Sequence, residues 1–258
     1  MATNNSIAEQ YLGKADNAIA SMTGAGSAAA SGATSAAFAA ADKAAKAADA
    51  TAGKIGETVS TMQGIAGGLL PIAGRVADDA ATVRGLAGHD LVVLPELWSA
   101  GGFDYRRWAE RAEAADGPIA QALADAARDA EVVLHAGSIV ERGPTPGPEG
   151  KSLWNTSLVF GRDGSELARY RKIHRFGFAT GEPELMEAGD EVTVVDLPLG
   201  HDGDGVPVGL STCYDLRFPE LFRAMGEVDL IVLPSAFTFT TGRAHWEVLL
   251  RARAIENQ

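Results

Sequence analysis

The sequence is poor in cysteine, in basic residues and in long apolar runs, and each shortage excludes a class of protein. Cys213 is the only cysteine in 258 residues, which excludes an internal disulfide and a metal site built from several cysteines. The 22 basic residues are outnumbered by 34 acidic ones, giving a net charge of −12. This balance argues against nucleic acids and anionic membranes as partners.

The chain also lacks the signals that direct a protein into or across a membrane. No apolar run approaches the roughly 18 residues that a membrane span needs, and the N-terminus has neither the basic region nor the apolar stretch of a secretory signal. We therefore expect a cytoplasmic protein, because an unpaired thiol is stable in that reducing compartment.

The N-terminal part of the chain has a composition of its own. Between Ser27 and Gly53, 15 of 27 residues are alanine, and Phe38 is the only aromatic residue there. Alanine favours helices but offers too little large apolar surface to fix a packed core. The composition predicts that residues 1–74 form a helical or flexible extension without catalytic residues. A dedicated binding module is the less favoured alternative.

From about Arg75 the pattern becomes that of an α/β domain, which we expect to span residues 75–258. With 46% apolar residues in the chain, a full core can be buried. Apolar strands alternate with amphipathic helices and with one hairpin, which indicates layers of sheet and helix. The predicted strands are 91–95, 132–140, 156–160, 166–172, 192–197, 206–211 and 229–234, and the predicted helices are 75–86, 118–130, 219–225 and 243–258.

Three of these strands end at a reactive side chain: Glu96, Lys172 and Cys213. Ends of adjacent strands in α/β sheets converge on one edge, where sites are usually built. A thiol needs a base to become a nucleophile, a buried glutamate can serve as that base, and a lysine can stabilise an oxyanion. The three together predict acyl transfer. Each alone has a structural alternative: Glu96 could cap a turn, Lys172 could belong to a solvated basic cluster, and Cys213 could be a small buried core residue.

Two histidines, His135 and His174, raise the alternative of a cysteine–histidine dyad. Neither lies in a sequence context typical of such a dyad. Both are therefore expected to be structural.

Six sequence blocks carry a resemblance to a known family. They are Val-Val-Leu-Pro-Glu-Leu-Trp (92–98), Trp-Asn-Thr-Ser (154–157), Tyr-Arg-Lys-Ile-His (170–174), Ser-Thr-Cys-Tyr-Asp-Leu-Arg-Phe-Pro-Glu-Leu (211–221), Leu-Pro-Ser-Ala-Phe (233–237) and the block from His245 to Gln258. In this order they make residues 75–258 resemble the nitrilase superfamily of carbon–nitrogen hydrolases. The resemblance implies an α/β fold, the four-layer αββα sandwich of the nitrilase type.

The resemblance also implies a mechanism. Glu96, Lys172 and Cys213 would form a Glu–Lys–Cys triad that cleaves an amide through a cysteine thioester. The backbone N–H of Tyr214 would help to hold the oxyanion. A second glutamate near the substrate would be Glu182, with Glu184 as the alternative.

Two further residues of the cysteine block, Asp215 and Arg217, have an expected structural role. Both would fix the turn around the nucleophile through hydrogen bonds. Direct contact with substrate is the alternative for either residue.

The segment from Ala236 to Glu247 is similar to the branch of omega-amidases and deaminated-glutathione amidases, which release ammonia from small carboxylated amides. An N-carbamoyl amino-acid hydrolase or a nitrilase is the alternative. The partner is expected to be a small-molecule amide, with no cofactor, metal, nucleic acid or membrane. Members of the family commonly form dimers or larger homo-oligomers.

Two departures from the family pattern lead us to expect an incomplete sandwich. Residues 64–74 make a poor strand where members usually begin with one, and the chain ends at Gln258 where members continue through further strands. A second class of function therefore stays open, namely an inactive partial domain whose extension serves interaction or delivery.

Overall fold

The computed structural model describes residues 72–177, 181–199 and 205–258, and these residues form two β-sheets with helices on their outer faces. One sheet has four strands in the order β1-β2-β3-β4, and the other has three in the order β5-β6-β7. The predicted extension, residues 1–74, lies almost wholly outside the described residues. The division of the chain at residue 74 stays a prediction.

The elements follow one another as a mixture of strands, short helices and three longer helices. The strands are β1 (Leu91–Val93), β2 (Val133–Arg142), β3 (Leu153–Phe160), β4 (Glu166–Arg171), β5 (Val194–Pro198), β6 (Gly205–Leu210) and β7 (Leu230–Val232). The helices are α1 (Ile72–Arg84), α2 (Trp108–Arg111), α3 (Pro118–Ala130), α4 (Glu182–Leu185), α5 (Pro219–Ala224) and α6 (Phe239–Asn257), with 3-10 turns at Tyr105–Arg107 and Cys213–Arg217.

Helices α1 and α3 cover the outer face of the four-stranded sheet. Helix α3 begins with Pro118 in its first turn, where the missing N–H costs nothing. It ends at Glu131, whose backbone is left-handed with φ of 53°. Its buried side chains recur at helical spacing, as in Leu123 and Ala127, and pack on Leu134 and Leu158 of the sheet.

The two sheets pack face to face through a second apolar layer. Val133 of β2 and Val159 of β3 are buried against Leu197, Val208 and Leu210 of the other sheet. Since Leu134 faces the helices and Val133 faces the second sheet, β2 is buried on both faces.

Helices α5 and α6 complete the fourth layer on the outer face of the smaller sheet. Leu221 and Phe222 of α5 pack with Leu249 and Leu250 of α6 in one apolar cluster. The order of layers is therefore helix, sheet, sheet, helix. The predicted α/β fold, an αββα sandwich, is confirmed.

The largest error in the predicted elements concerns the last helix, which begins at Phe239 and not at Arg243. The intervening Thr240, Thr241 and Gly242 are weak helix formers. Trp246 packs edge-on against Phe237, with 4.9 Å between ring centroids. We infer that such packing holds the weak first turn in place, which sequence propensity alone does not reveal.

The chain after β1 crosses β2 at a glycine. Gly137 has φ of 65°, and a Cβ added to it would lie 2.0 Å from the carbonyl oxygen of Pro95. The Ser138 N–H donates to that same oxygen over 3.2 Å, and the Ser138 Oγ accepts from the Leu97 N–H. Only glycine permits this close crossing, which carries the segment bearing Glu96 from the sheet edge towards β3.

A fully buried histidine beside this crossing is expected to make stability depend on pH. His135 accepts a hydrogen bond at Nδ1 from the Gly137 N–H over 3.2 Å, and its Nε2 has no partner among the described residues. Burial lowers the pKa of His135 to about 4, against about 6.5 in the unfolded chain. The neutral His135 therefore makes its full contribution to the free energy of unfolding above pH 6.5. This contribution falls as the pH drops towards 4, by at most about 3 kcal/mol.

Urea denaturation between pH 7.5 and 4.5 tests this expectation. His135→Asn keeps an acceptor for the Gly137 N–H but removes the titration, so its stability should fall less steeply than that of the wild type. His89→Asn changes an exposed histidine and should leave the wild-type slope unchanged. Parallel slopes for His135→Asn and wild type would contradict the assignment.

Candidate active site

Glu96 lies just after β1, among the loops of the two sheets. It is buried, with 5% of its surface exposed. Its Oε1 accepts from Lys172 Nζ over 2.8 Å and from Asn155 Nδ2 over 3.0 Å. Its Oε2 accepts from the backbone N–H of Ala236 over 2.8 Å. These bonds fix the carboxylate in one orientation, with Oε2 directed towards the segment after β7.

Lys172 follows β4 and is 2% exposed, so its ammonium is held inside the protein. Its Nζ donates to Glu96 and, over 2.8 Å, to Oε2 of Glu182. Burial disfavours the ammonium, but the charges of the two carboxylates outweigh that effect and raise the pKa of Lys172. The side chain therefore stays protonated at neutral pH.

Cys213 stands at the start of a 3-10 turn that follows β6, with a left-handed backbone at φ of 49°. The Cys213 N–H donates to the carbonyl of Pro234 over 3.0 Å. A left-handed backbone is unfavourable for a side chain with a Cβ, so neighbouring contacts must hold it.

Asp215 supplies those contacts. Its Oδ2 accepts from the Thr212 N–H and from the Tyr170 hydroxyl, over 2.8 and 2.7 Å. Its Oδ1 accepts from the N–H of His174 and is paired with the same residue's Nδ1, over 2.9 and 2.8 Å. The Asp215 carboxylate, which is fully buried, thus ties the turn of Cys213 to β4 and to the segment after Lys172.

The environment of the Cys213 thiol keeps it protonated at rest. Burial, followed by the negative charge of Glu96, raises the pKa of the thiol well above its ordinary value, and Lys172 offsets only part of this. Cys213 and Glu96 line the same pocket. A protonated thiol beside a carboxylate requires proton removal during the reaction, in contrast to a preformed thiolate.

Glu182, not Glu184, is the second glutamate that the structure places beside Lys172. It begins the short helix α4 and is 3% exposed, whereas Glu184 is exposed. Its carboxylate accepts from Asn155 Nδ2 over 2.6 Å and from the backbone N–H of Phe176. Every oxygen of Glu182 is thereby engaged.

Tyr214 and Arg217 continue the turn that begins at Cys213. The Tyr214 ring lies edge-on to Phe176, with 5.4 Å between centroids. Arg217 lies near the Tyr214 and Phe237 rings, and its guanidinium is 3.1 Å from His245 Nδ1. The expectation that Asp215 fixes the turn agrees with its four hydrogen-bonding contacts, whereas the guanidinium of Arg217 is directed at His245 and the two rings.

Two adjoining pockets share the Cys213 thiol. The inner pocket is narrow and partly open to solvent, and it is lined by Glu96, Leu97, Gly102, Phe103, Tyr105, Trp108, Lys172, Phe176, Glu182, Cys213 and Ala236. The outer pocket is also narrow and is lined by Phe103, Phe176, Cys213, Tyr214, Arg217, Ala236, Phe237, Thr238 and Thr241. Cys213 therefore borders both the pocket that contains the carboxylates and the pocket that contains Arg217.

The structure brings together the predicted residues Glu96, Lys172, Glu182 and Cys213, but not in the way the sequence argument assumed. Strands β1 and β4 are opposite edges of one sheet, and β6 belongs to the other. The strand ends meet because the chain crosses over β2 at Gly137 and because the sheets face each other. The assumption of adjacent strands was wrong, although the predicted convergence is seen.

Sequence reasoning missed Asn155, which donates to both glutamates from the middle of β3. The block Trp-Asn-Thr-Ser carries the family resemblance without assigning a role to its asparagine. An asparagine in a fully buried strand was the available signal, because a buried amide requires hydrogen-bond partners.

The alternative of a cysteine–histidine dyad receives no support from the geometry. His174 Nδ1 is paired with Asp215, and its ring stacks on Phe218 at 3.7 Å between centroids. His135 accepts from the Gly137 N–H. The hydrogen bonds of both histidines are thus directed away from Cys213.

Metal sites and membrane spans were sought in the part of the chain that the structure describes. There, no group of three or more His, Cys, Asp or Glu side chains is arranged to hold a metal ion. None of the described helices is long and apolar enough to cross a membrane.

A sequence profile of carbon–nitrogen hydrolases matches residues 8–258. Among curated relatives, a 2-oxoglutaramate amidase of Paenarthrobacter nicotinovorans is 46% identical over 171 residues, covering 66% of this chain and 56% of the relative. A deaminated glutathione amidase of Yersinia enterocolitica is 40% identical over 183 residues, covering 66% of this chain and 60% of the relative. The chain thus spans less than two thirds of the length of these relatives.

A solved structure of an amidase from Nesterenkonia sp. AN1 has a similar fold. The TM-score is 0.55 at 28% identity, and the match covers 70% of this chain and 64% of the amidase. That structure, of a glutamate-to-leucine mutant of the amidase, shows covalent addition of the acetamide moiety of fluoroacetamide at the active-site cysteine.

Proposed function

Because the chain belongs to the carbon–nitrogen hydrolase family, we propose that it hydrolyses the amide of a small carboxylated molecule and releases ammonia. The reaction would pass through a thioester on Cys213, in a Glu–Lys–Cys triad with Glu96 and Lys172. The observation that carries the proposal is that Glu96, which accepts from the buried Lys172 ammonium, lines the same pocket as Cys213.

In the first step, Glu96 takes the thiol proton as Cys213 attacks the amide carbon. The receiving atom is Oε2, because Oε1 already accepts two hydrogen bonds while Oε2 accepts one from Ala236. A carboxylate offers about four acceptor positions, so one position of Oε2 remains for the thiol. Glu96 is assigned the role of general base because its Oε2 has an acceptor position for the proton of the nucleophile.

The negative charge that develops on the amide oxygen would be held by two donors. An ammonium has three N–H donors, and Lys172 directs them at Glu96 Oε1 and at both oxygens of Glu182. One of its two contacts with Glu182 would be exchanged for the oxyanion, and the other would be kept. The first N–H groups of a helical turn lack a partner within that turn, so the Tyr214 N–H is a suitable second donor. The Tyr214 N–H is fixed by the 3-10 turn, so it would act without reorganisation.

Collapse of the tetrahedral intermediate breaks the C–N bond, and Glu96 returns the proton to the departing nitrogen. Ammonia leaves and a thioester remains on Cys213. Glu96 then takes a proton from water, whose oxygen attacks the thioester carbon. Breaking the C–S bond releases the acid, and the proton returns from Glu96 to the sulfur. Glu182 helps to orient the amide and the water.

The outer pocket supports a substrate that carries a carboxylate away from its amide. Arg217 lines this pocket beside Thr238 and Thr241, and a guanidinium binds a carboxylate through two parallel hydrogen bonds. The names of the two curated relatives also refer to amides of acidic metabolites. This contact is the alternative role that the sequence left open for Arg217.

Ammonia release from a panel of amides tests the proposal. Primary amides of short dicarboxylic acids should be hydrolysed, and propionamide should be a poorer substrate.

Arg217→Gln should raise KM for the carboxylated amides by about 10-fold or more, since a charged hydrogen-bonding pair is lost, while KM for propionamide stays within about 2-fold. Arg223→Gln, an exposed arginine of α5, serves as the control. Absence of turnover of every amide by folded protein would contradict the proposed function.

The alternatives make different predictions in the same assay. An N-carbamoyl amino-acid hydrolase would release carbon dioxide with ammonia, and a nitrilase would act on a nitrile. Neither is favoured, because the named relatives are amidases. An inactive partial domain would hydrolyse nothing. Self-association and a cytoplasmic location stay predictions from the sequence.

A further inference from the structure

The buried amide of Asn155 is positioned between the two glutamates of the site. Its Nδ2 lies 3.0 Å from Oε1 of Glu96 and 2.6 Å from Oε1 of Glu182. An amide nitrogen has two hydrogens, so each carboxylate receives one of them. The side chain is 2% exposed and lies on an inner strand of the four-stranded sheet.

The carbonyl end of this amide, unlike its nitrogen, has no hydrogen-bond partner among the described residues. Asn155 Oδ1 is buried and accepts no hydrogen bond from the described residues. Leaving a buried carbonyl unpaired lowers stability, so a purely structural role would favour an apolar residue here. The reversed amide is excluded because it would direct Oδ1 at two carboxylate oxygens. The orientation is therefore determined by the carboxylates.

We propose that Asn155 is a positioning residue that fixes Glu96 and Glu182 so that the remaining acceptor position of Glu96 faces the thiol. This inference rests on the proposed function for its kinetic consequence, but the geometry can be tested on the thiol alone. Asn155 does not line either pocket, and it acts on the substrate only through the two glutamates.

The same two N–H groups have an electrostatic effect. Two carboxylates that share a buried site repel each other, and one of them takes up a proton unless donors stabilise both anions. The ionisable groups that line the inner pocket with Glu96 are Lys172, Glu182, Cys213 and Tyr105. Lys172 alone among them is a cation, so the neutral amide is the second donor that both carboxylates share.

Removing the amide would take away one of the two donors that both carboxylates share. Asn155→Leu keeps the branching at Cγ and has no donor. The acidic limb of the pH–rate profile for Cys213 alkylation is the range in which the rate falls as the pH drops. We expect this limb to move up by about one pH unit. For amide hydrolysis we expect kcat to fall by about 30-fold, with KM within about 3-fold of wild type.

The experiment measures the rate of iodoacetamide alkylation between pH 5 and 9. Cys213 is the only cysteine, so every alkylated thiol reports on the site. Thr156→Val is the matched control, since Thr156 is equally buried on β3 but donates to Glu141; its limb should coincide with that of wild type. Asn155→Ser gives the same test if the leucine variant does not fold.

The outcomes separate this inference from the proposed function. A shifted limb in the Asn155 variants supports positioning, even if no amide is hydrolysed by the wild type, in which case only the proposed function fails. A limb within about 0.2 pH units of wild type, in folded Asn155 variants, overturns the inference. A loss of kcat that merely follows the folded fraction, without a shift of the limb, also overturns it.

Discussion

Cys213→Ala is expected to lower kcat/KM for amide hydrolysis by at least about 10⁴-fold, because the covalent route disappears with the sulfur. The fold should persist, since alanine keeps the Cβ and the left-handed backbone is held by contacts of neighbouring groups, including the Cys213 N–H to Pro234. We expect the free energy of unfolding to change by less than about 2 kcal/mol. Ammonia release and urea denaturation measure the two quantities.

Cys213→Ser separates the sulfur from the shape of the side chain. A serine hydroxyl is far less acidic than a thiol, so Glu96 cannot deprotonate it as readily, and activity should again be lost. Ser211→Ala is the control, because this buried hydroxyl two residues earlier donates to the Val232 carbonyl, not to the site. It should keep activity within about 3-fold. Undiminished ammonia release by pure Cys213→Ala would rule out the thioester route.

The fold could be predicted largely because local patterns in this chain agree with its tertiary structure. Helix α3 coincides with its predicted bounds, since Pro118 marks its start and the apolar residues recur at helical spacing. The hairpin of β3 and β4 follows from its turn, Gly161 to Gly164. Helix α6 departs from prediction where Thr240 and Thr241 oppose helix formation, so that packing determines the start.

The candidate site was predictable in its composition but not in its assembly. Glu96, Lys172 and Cys213 each stand at the end of a predicted strand, which is visible in one sequence. The crossing at Gly137 joins residues about 40 positions apart, and no local pattern encodes it. Asn155 was missed for the same reason, because its partners come from distant segments and burial alone makes those contacts necessary.

Lys172→Met should abolish turnover and also destabilise the protein, which distinguishes it from the cysteine variants. Methionine has a similar length without charge, so the buried carboxylates of Glu96 and Glu182 would face each other without a cation. Removing one partner of a buried ion pair typically costs about 3–5 kcal/mol. We expect a loss of stability of that size and a fall in kcat/KM of at least about 10³-fold. Lys151→Met, in a partly exposed ion pair with Glu149, should change stability by less than about 1 kcal/mol.

The pH dependence of the Lys172→Met defect identifies its cause. Without the ammonium, one carboxylate should remain protonated in the folded state up to a higher pH than in the unfolded chain. The variant should therefore be closest to wild-type stability at low pH and lose stability as the pH rises. Adding Glu182→Gln removes one negative charge and should restore most of the stability at pH 7 without restoring activity, because the oxyanion donor is still missing. A double variant as unstable as Lys172→Met would attribute the defect to packing, not to uncompensated charge.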